Sequence, residues 1–179
     1  MLEYLVLEQI SRASEVVAAP APSQIVAERT ATRPVTAQCF FAEAARQQIE
    51  PLKLLAVMKT EGGRVGQFVR NSNGTYDIGP MQINSVHLAD LSKRLGASRE
   101  EVASALAYDG CFNVAIGAWM LRKRTDEAGG DFWYGIGFYH SKTPTYRNRY
   151  ILSVHKNMQD IVNRLNTQPR MSMNQREGY

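Results

Sequence analysis

Glu61 ends the run Leu52-Lys53-Leu54-Leu55-Ala56-Val57-Met58-Lys59-Thr60-Glu61 and is followed at once by Gly62-Gly63. Leu54, Val57, Met58 and Glu61 recur at the three- and four-residue spacing of one helix face. The carboxyl therefore points the same way as an apolar stripe. Burial there disfavours the charged form, so the group is expected to hold its proton near neutral pH, as a general acid must. For Glu61 taken alone, a helix-end glutamate that bends out to solvent is the commoner outcome.

The residues downstream change that balance. Asn71-Ser72-Asn73-Gly74-Thr75-Tyr76-Asp77-Ile78-Gly79-Pro80-Met81-Gln82-Ile83-Asn84 comes next. Gly137-Phe138-Tyr139-His140-Ser141 and Tyr146-Arg147-Asn148-Arg149-Tyr150 follow. Together with Glu-Gly-Gly, these segments strongly resemble the lytic transglycosylases, which cleave bacterial cell-wall glycan on a goose-type-lysozyme-like fold. The resemblance runs roughly from Gln38 to Asp160 and is greatest to the small members that serve type IV conjugation and other envelope-spanning secretion machines. It implies peptidoglycan as the substrate, with secretion or conjugation proteins as possible partners.

The resemblance also distributes roles. Glu61 takes the place of the single catalytic acid. It would protonate the oxygen between N-acetylmuramic acid and N-acetylglucosamine, then remove the proton from the C6 hydroxyl to close a 1,6-anhydro ring. One group acting first as acid and then as base satisfies microscopic reversibility. Gln82 falls in the substrate-contacting Gly-x-Met-Gln position. Tyr139 would line the sugar subsites, and His140 stands where the family usually has asparagine. Tyr150 matches the last-helix tyrosine that hydrogen-bonds the acid; an ordinary core aromatic is the other reading.

Asp77 is the second carboxylate by position, since glycosidases usually employ two. An aspartate in a tight turn more often bonds nearby backbone amides. A hydrolytic muramidase with Asp77 assisting, and a non-catalytic wall-binding assembly factor, are the two competing functions.

The chain has 179 residues, 44% hydrophobic and 21% charged, which fits one globular domain with a real core. The net charge of +4 comes without a dense Lys/Arg block interleaved with aromatics, so nucleic-acid binding is not indicated. His87, His140 and His155 lack ligand spacing with cysteine or acidic partners; no metal and no cofactor are expected. Cys39 and Cys111 are the only cysteines. By residue type they read as buried thiols, whereas the resemblance implies a disulfide and hence an oxidising compartment, the periplasm.

The amino-terminal stretch does not announce export. Glu3 and Glu8 stand where a signal peptide carries positive charge, and the longest apolar run is Tyr4-Leu5-Val6-Leu7. Export would need a signal outside this stretch, a different start, or another route.

The elements that must position these groups form a mainly α, lysozyme-like single domain with a small loop or hairpin region beside the cleft. Residues 1–35 read as an extension and linker, 36–165 as the catalytic domain, and 166–179 as a tail. Thr36 caps a helix Ala37–Gln48, and Pro51 opens the helix that ends at Glu61. Asn73-Gly74 is a turn. Asn84 or Ser85 caps a helix through Leu95, with Gly96 as its stop. Ser98 begins a capping box, and Asp109 caps a helix over Cys111–Glu127. Asp131 starts a short aromatic helix through Tyr139. Thr145 to Leu165 is a long amphipathic helix with Tyr150, Ile151, Val154, Met158 and Ile161 inward. Trp119 and Trp133 read as core residues.

Overall fold

A computed structural model describes residues 31–167. The expected helix over Leu2–Val17 and most of the proline-rich stretch after it lie outside the described residues. Among the described residues there are seven α-helices and a small antiparallel sheet: α1 (Ala37–Arg46), α2 (Pro51–Glu61), β1 (Phe68–Arg70), β2 (Tyr76–Ile78), β3 (Ile83–Asn84), α3 (Leu88–Leu95), α4 (Arg99–Tyr108), α5 (Gly110–Glu127), α6 (Phe132–His140) and α7 (Pro144–Thr167). The expected mainly helical domain with a small hairpin is what forms.

Capping explains most of the boundaries. Thr36 accepts from the Cys39 amide, Asp109 from Phe112 and Asp131 from Tyr134. Ser98 and Glu101 exchange both bonds of a capping box. Gly96 closes α3 in the left-handed region. Asn84 caps a single 3-10 turn, Ser85–His87, before α3 proper begins at Leu88. Pro144 does not merely separate α6 from α7; it is the first residue of α7, where a missing N–H is harmless.

The core forms around α5, which packs against α1, α4 and α6, while α7 lies across α2 and α6. Leu54, Val57, Ile78, Met81, Ile83, Leu106, Val114, Leu121, Ile136 and Val154 are all closed to solvent. Each such side chain stabilises the fold by roughly 1.5–3 kcal/mol relative to exposure. Trp119 and Trp133 are partly buried against this core. The Arg94 guanidinium lies 4.7 Å from the Trp119 ring centre.

Packing begins before Thr36. The Arg33 amide donates to the Tyr108 carbonyl, Gly110 N–H donates to Arg33, and the Arg33 guanidinium meets Asp109 at 2.6 Å. Beside this strap Cys39 and Cys111 are joined in a disulfide, with Cα atoms 5.8 Å apart and a sequence separation of 72. Among the described residues no cysteine is free, and no helix is long and apolar enough to cross a membrane.

Candidate active site

Glu61 closes α2, and Gly62 leaves the helix with φ +66. A residue with a Cβ would be strained there, so glycine is the natural stop. Gly63 is needed for a different reason. A Cβ on it would lie 2.1 Å from the Gly79 carbonyl and 2.4 Å from Gln82 Nε2. The Glu-Gly-Gly signal thus has a physical content: one glycine turns the chain, and the next lets the Gln82 loop press against it.

The face expected for Glu61 is the one observed. Its pKa is pushed up to about 7, chiefly by burial; the Tyr150 hydrogen bond opposes the rise, and the negative charge of Asp77 adds to it. The Tyr150 hydroxyl donates to Glu61 Oε1 across 89 residues of sequence. Tyr150 is itself 7% exposed, and its own pKa is driven far up, by burial first and by Glu61 second. It therefore stays a neutral donor. A second tie runs one residue earlier: Asn157 on α7 donates to Thr60 Oγ1 at 2.9 Å. The acid and its donor are held together by helix-on-helix packing of α2 and α7.

Gln82 sits in the left-handed region with φ +47, unusual for a residue with a side chain. Its backbone N–H and its Nε2 both donate to the Gly79 carbonyl, at 3.1 and 2.9 Å. That places the amide beside Gly63, two residues from the acid, with one of its two N–H donors used. Tyr139 turns its hydroxyl inward and donates to the Met81 carbonyl at 2.9 Å. It braces the Gln82 loop from below. His140 is exposed and lies flat on Tyr150, with ring centres 4.5 Å apart and planes inclined by 2°. The five residues singled out in the sequence thus occupy one neighbourhood, Tyr139 through its neighbour Met81.

Asp77 belongs to β2, opposite Val69 on β1 and Asn84 on β3. Backbone amides were expected as its partners; side-chain amides take their place. Asn71 donates to Oδ2 at 3.0 Å and Asn84 to Oδ1 at 2.7 Å. Both oxygens act as acceptors, which fixes the plane of the carboxylate next to the acid.

The sequence reading passed over Asn113. It is fully buried on α5, accepts from the Met81 amide at 2.7 Å, and donates to the Ile78 and Leu106 carbonyls at 2.9 Å each. It ties the whole Ile78–Gln82 turn to the core. A buried amide on an apolar helix was the available signal. Asn113→Leu should strand the Met81 N–H and two carbonyls, lowering stability by about 3 kcal/mol and the melting temperature by roughly 6–12 °C. A calorimetric scan decides it; a shift under a couple of degrees would remove Asn113 from this role.

A buried carboxyl at a helix end, a tyrosine that donates to it, and a glutamine loop beside a small sheet thus share one neighbourhood. The family model "Transglycosylase SLT domain" matches residues 38–157, most of the chain. The chain belongs to the SLT transglycosylase family. The lysozyme-like fold expected from the motifs is thereby shown, and SLT domains are lytic transglycosylase domains acting on cell-wall peptidoglycan. Among curated proteins, the SLT chain is similar to "Invasion protein IagB" of Salmonella typhimurium (strains SL1344 and LT2) and of Salmonella typhi. Identity is 29% over 130 residues, covering 70% of this chain and 78% of the relative. Among the described residues of this SLT domain, no group of three His, Cys, Asp or Glu could hold a metal.

Proposed function

We propose that this SLT domain cleaves the β-1,4 bond between N-acetylmuramic acid and N-acetylglucosamine with formation of a 1,6-anhydro end, outside the cytoplasm, at the site of a secretion or conjugation apparatus. The observation that carries the chemistry is the buried Glu61–Tyr150 pair. A carboxyl near 7 supplies a proton at neutral pH. The glycosidic oxygen takes that proton as its bond to C1 breaks, and the sugar's acetamido group supports the positive charge at C1. Glu61 is then a carboxylate whose Oε1 is held by Tyr150. It accepts the proton of the C6 hydroxyl while that oxygen bonds C1. No water is consumed, and Glu61 ends protonated as it began.

The Cys39–Cys111 bond supports an oxidising compartment such as the periplasm. The likeness to "Invasion protein IagB" supports a part in invasion, and work alongside a secretion or conjugation apparatus rests on the sequence resemblance. Gln82 is the candidate for holding the sugar beside the acid.

Hydrolysis is the second reading, and the grip of Asn71 and Asn84 on Asp77 is the observation that favours it. A fixed carboxylate near the acid could steady a cationic intermediate while water attacks. Mass spectrometry of digested peptidoglycan separates the two. Fragments lighter by one water support the anhydro route; reducing ends alone establish hydrolysis. Binding to the wall with no soluble fragment at any pH makes the domain a non-catalytic assembly factor.

Tyr150→Phe should slow cleavage about ten- to a hundredfold through loss of a bond worth roughly 1.5–3 kcal/mol. The Tyr150 bond lowers the Glu61 pKa, so its removal should also move the alkaline fall in activity to higher pH. Phe fills the same space, so packing is kept and melting should fall by no more than the lost bond accounts for, roughly 3–12 °C. Equal rates for both proteins across the pH profile would make Tyr150 a packing residue only.

A further inference from the structure

His140 closes α6 as an exposed residue, yet its ring is spent on one neighbour. It lies parallel to Tyr150, at 4.5 Å between centres and 2° between planes. Tyr150 in turn gives its hydroxyl to Glu61. A buried phenol with one hydrogen bond can still pivot about its χ2 axis or lean off its acceptor. A flat ring against its face removes that freedom, because any tilt breaks the stacking contact. Imidazole differs from other aromatic side chains in one respect: it can become a cation between about pH 5 and 8.

We propose that His140 is a positioning residue for proton transfer, its stacked ring holding the Tyr150 phenol on Glu61 and its charge setting how readily Glu61 releases the proton. The role rests on Glu61 being the acid. A neutral imidazole leaves the acid undisturbed. An imidazolium draws electron density from the phenol, strengthens its donation to Glu61 and adds a nearby positive charge, so Glu61 is held more as carboxylate and fewer molecules carry the proton to be donated.

The charged and titratable groups around His140 come from three elements. On α7 there is Tyr150, and a turn earlier Arg147, whose guanidinium is taken up over the Tyr134 ring at 4.6 Å. On α2 there is Glu61, reached through the phenol. On β2 there is Asp77, whose charge favours the imidazolium, while partial burial acts more strongly to disfavour it. The balance leaves the ring neutral through the neutral range and chargeable below it. Its open flank lets it take up a proton without any unfolding.

The test is an NMR titration of the Glu61 carboxyl carbon in wild type, His140→Ala, His140→Phe and His140→Arg, with melting curves to confirm folding. Loosening the phenol in His140→Ala should raise the Glu61 midpoint by about half a pH unit, and the fixed cation of His140→Arg should lower it by about as much. His140→Phe, which keeps a flat ring, should return the midpoint toward wild type. Wall-digestion rates should follow: kcat falls about three- to tenfold in His140→Ala with KM little changed, and His140→Phe recovers most of it. Identical midpoints in all four proteins overturn the proposal. So does a rise in KM shared by His140→Ala and His140→Phe with unmoved midpoints, which would mean that the ring nitrogens contact sugar. A wild type that shows the predicted midpoints but releases nothing from cell wall supports the positioning role and overturns the enzymatic reading instead.

Discussion

Glu61→Gln should abolish wall cleavage, by about a thousandfold or more, and at the same time make the protein more stable at alkaline pH. The two effects have one origin. Burial raises the Glu61 pKa from the ordinary 4.5 to about 7. Between those values the folded protein holds a proton that the unfolded chain has lost, so stability falls as pH rises through this window. Above it the folded protein carries a buried carboxylate at a penalty on the order of 3 kcal/mol. Glutamine keeps the shape and can still accept from Tyr150, but it never ionises and never gives a proton. The difference in melting temperature between the two proteins should therefore be small at pH 4 and grow toward pH 8. Every other titrating group is common to both and cancels. Loss of activity without that pH-dependent gap would indicate that Glu61 is not held in the buried, protonated state.

Removing the disulfide should be the most damaging change outside the site. The bond closes a loop with a sequence separation of 72. In the chain-entropy account, releasing it frees the unfolded chain by about 4 kcal/mol, or roughly 8–16 °C in melting temperature for a domain of this size. Both cysteines are only half-buried, so the Cys39→Ser, Cys111→Ser pair loses little packing and isolates the cross-link. Reductant should lower wild-type melting to that of the double variant and leave the variant unchanged. Wild-type melting indifferent to reductant would show that the cross-link contributes nothing.

What was legible in the chain depended on range. Glu61 could be placed because its own helix supplies the apolar stripe, and Thr36, Ser98, Asp109 and Asp131 because a cap is a local contract over three residues. The family motif carried the rest of the site as far as names of residues. It did not carry the contacts. Tyr76–Ile78 and Ile83–Asn84 form strands of three and two residues, too short for any period to show. Asn113 lies 32 residues from Met81, and the face-to-face contact of His140 with Tyr150 joins two helices. Such pairings are set by how helices pack, which no window of sequence contains. Asp77 likewise was foreseen as structural, but its asparagine partners were not, because they come from both sides of the sheet.

The acid and its tyrosine stand on helices α2 and α7, whereas Asp77 and Gln82 stand on or beside the small sheet. They press together where Gly63 meets the Gly79 carbonyl and the Gln82 side chain. The buried acid pair and the glutamine loop therefore come from separate stretches of the chain. The separation is not complete, because Asp77 on β2 lends its negative charge to the rise of the Glu61 pKa, so a change in residues 68–84 that removes this charge also reaches the acid.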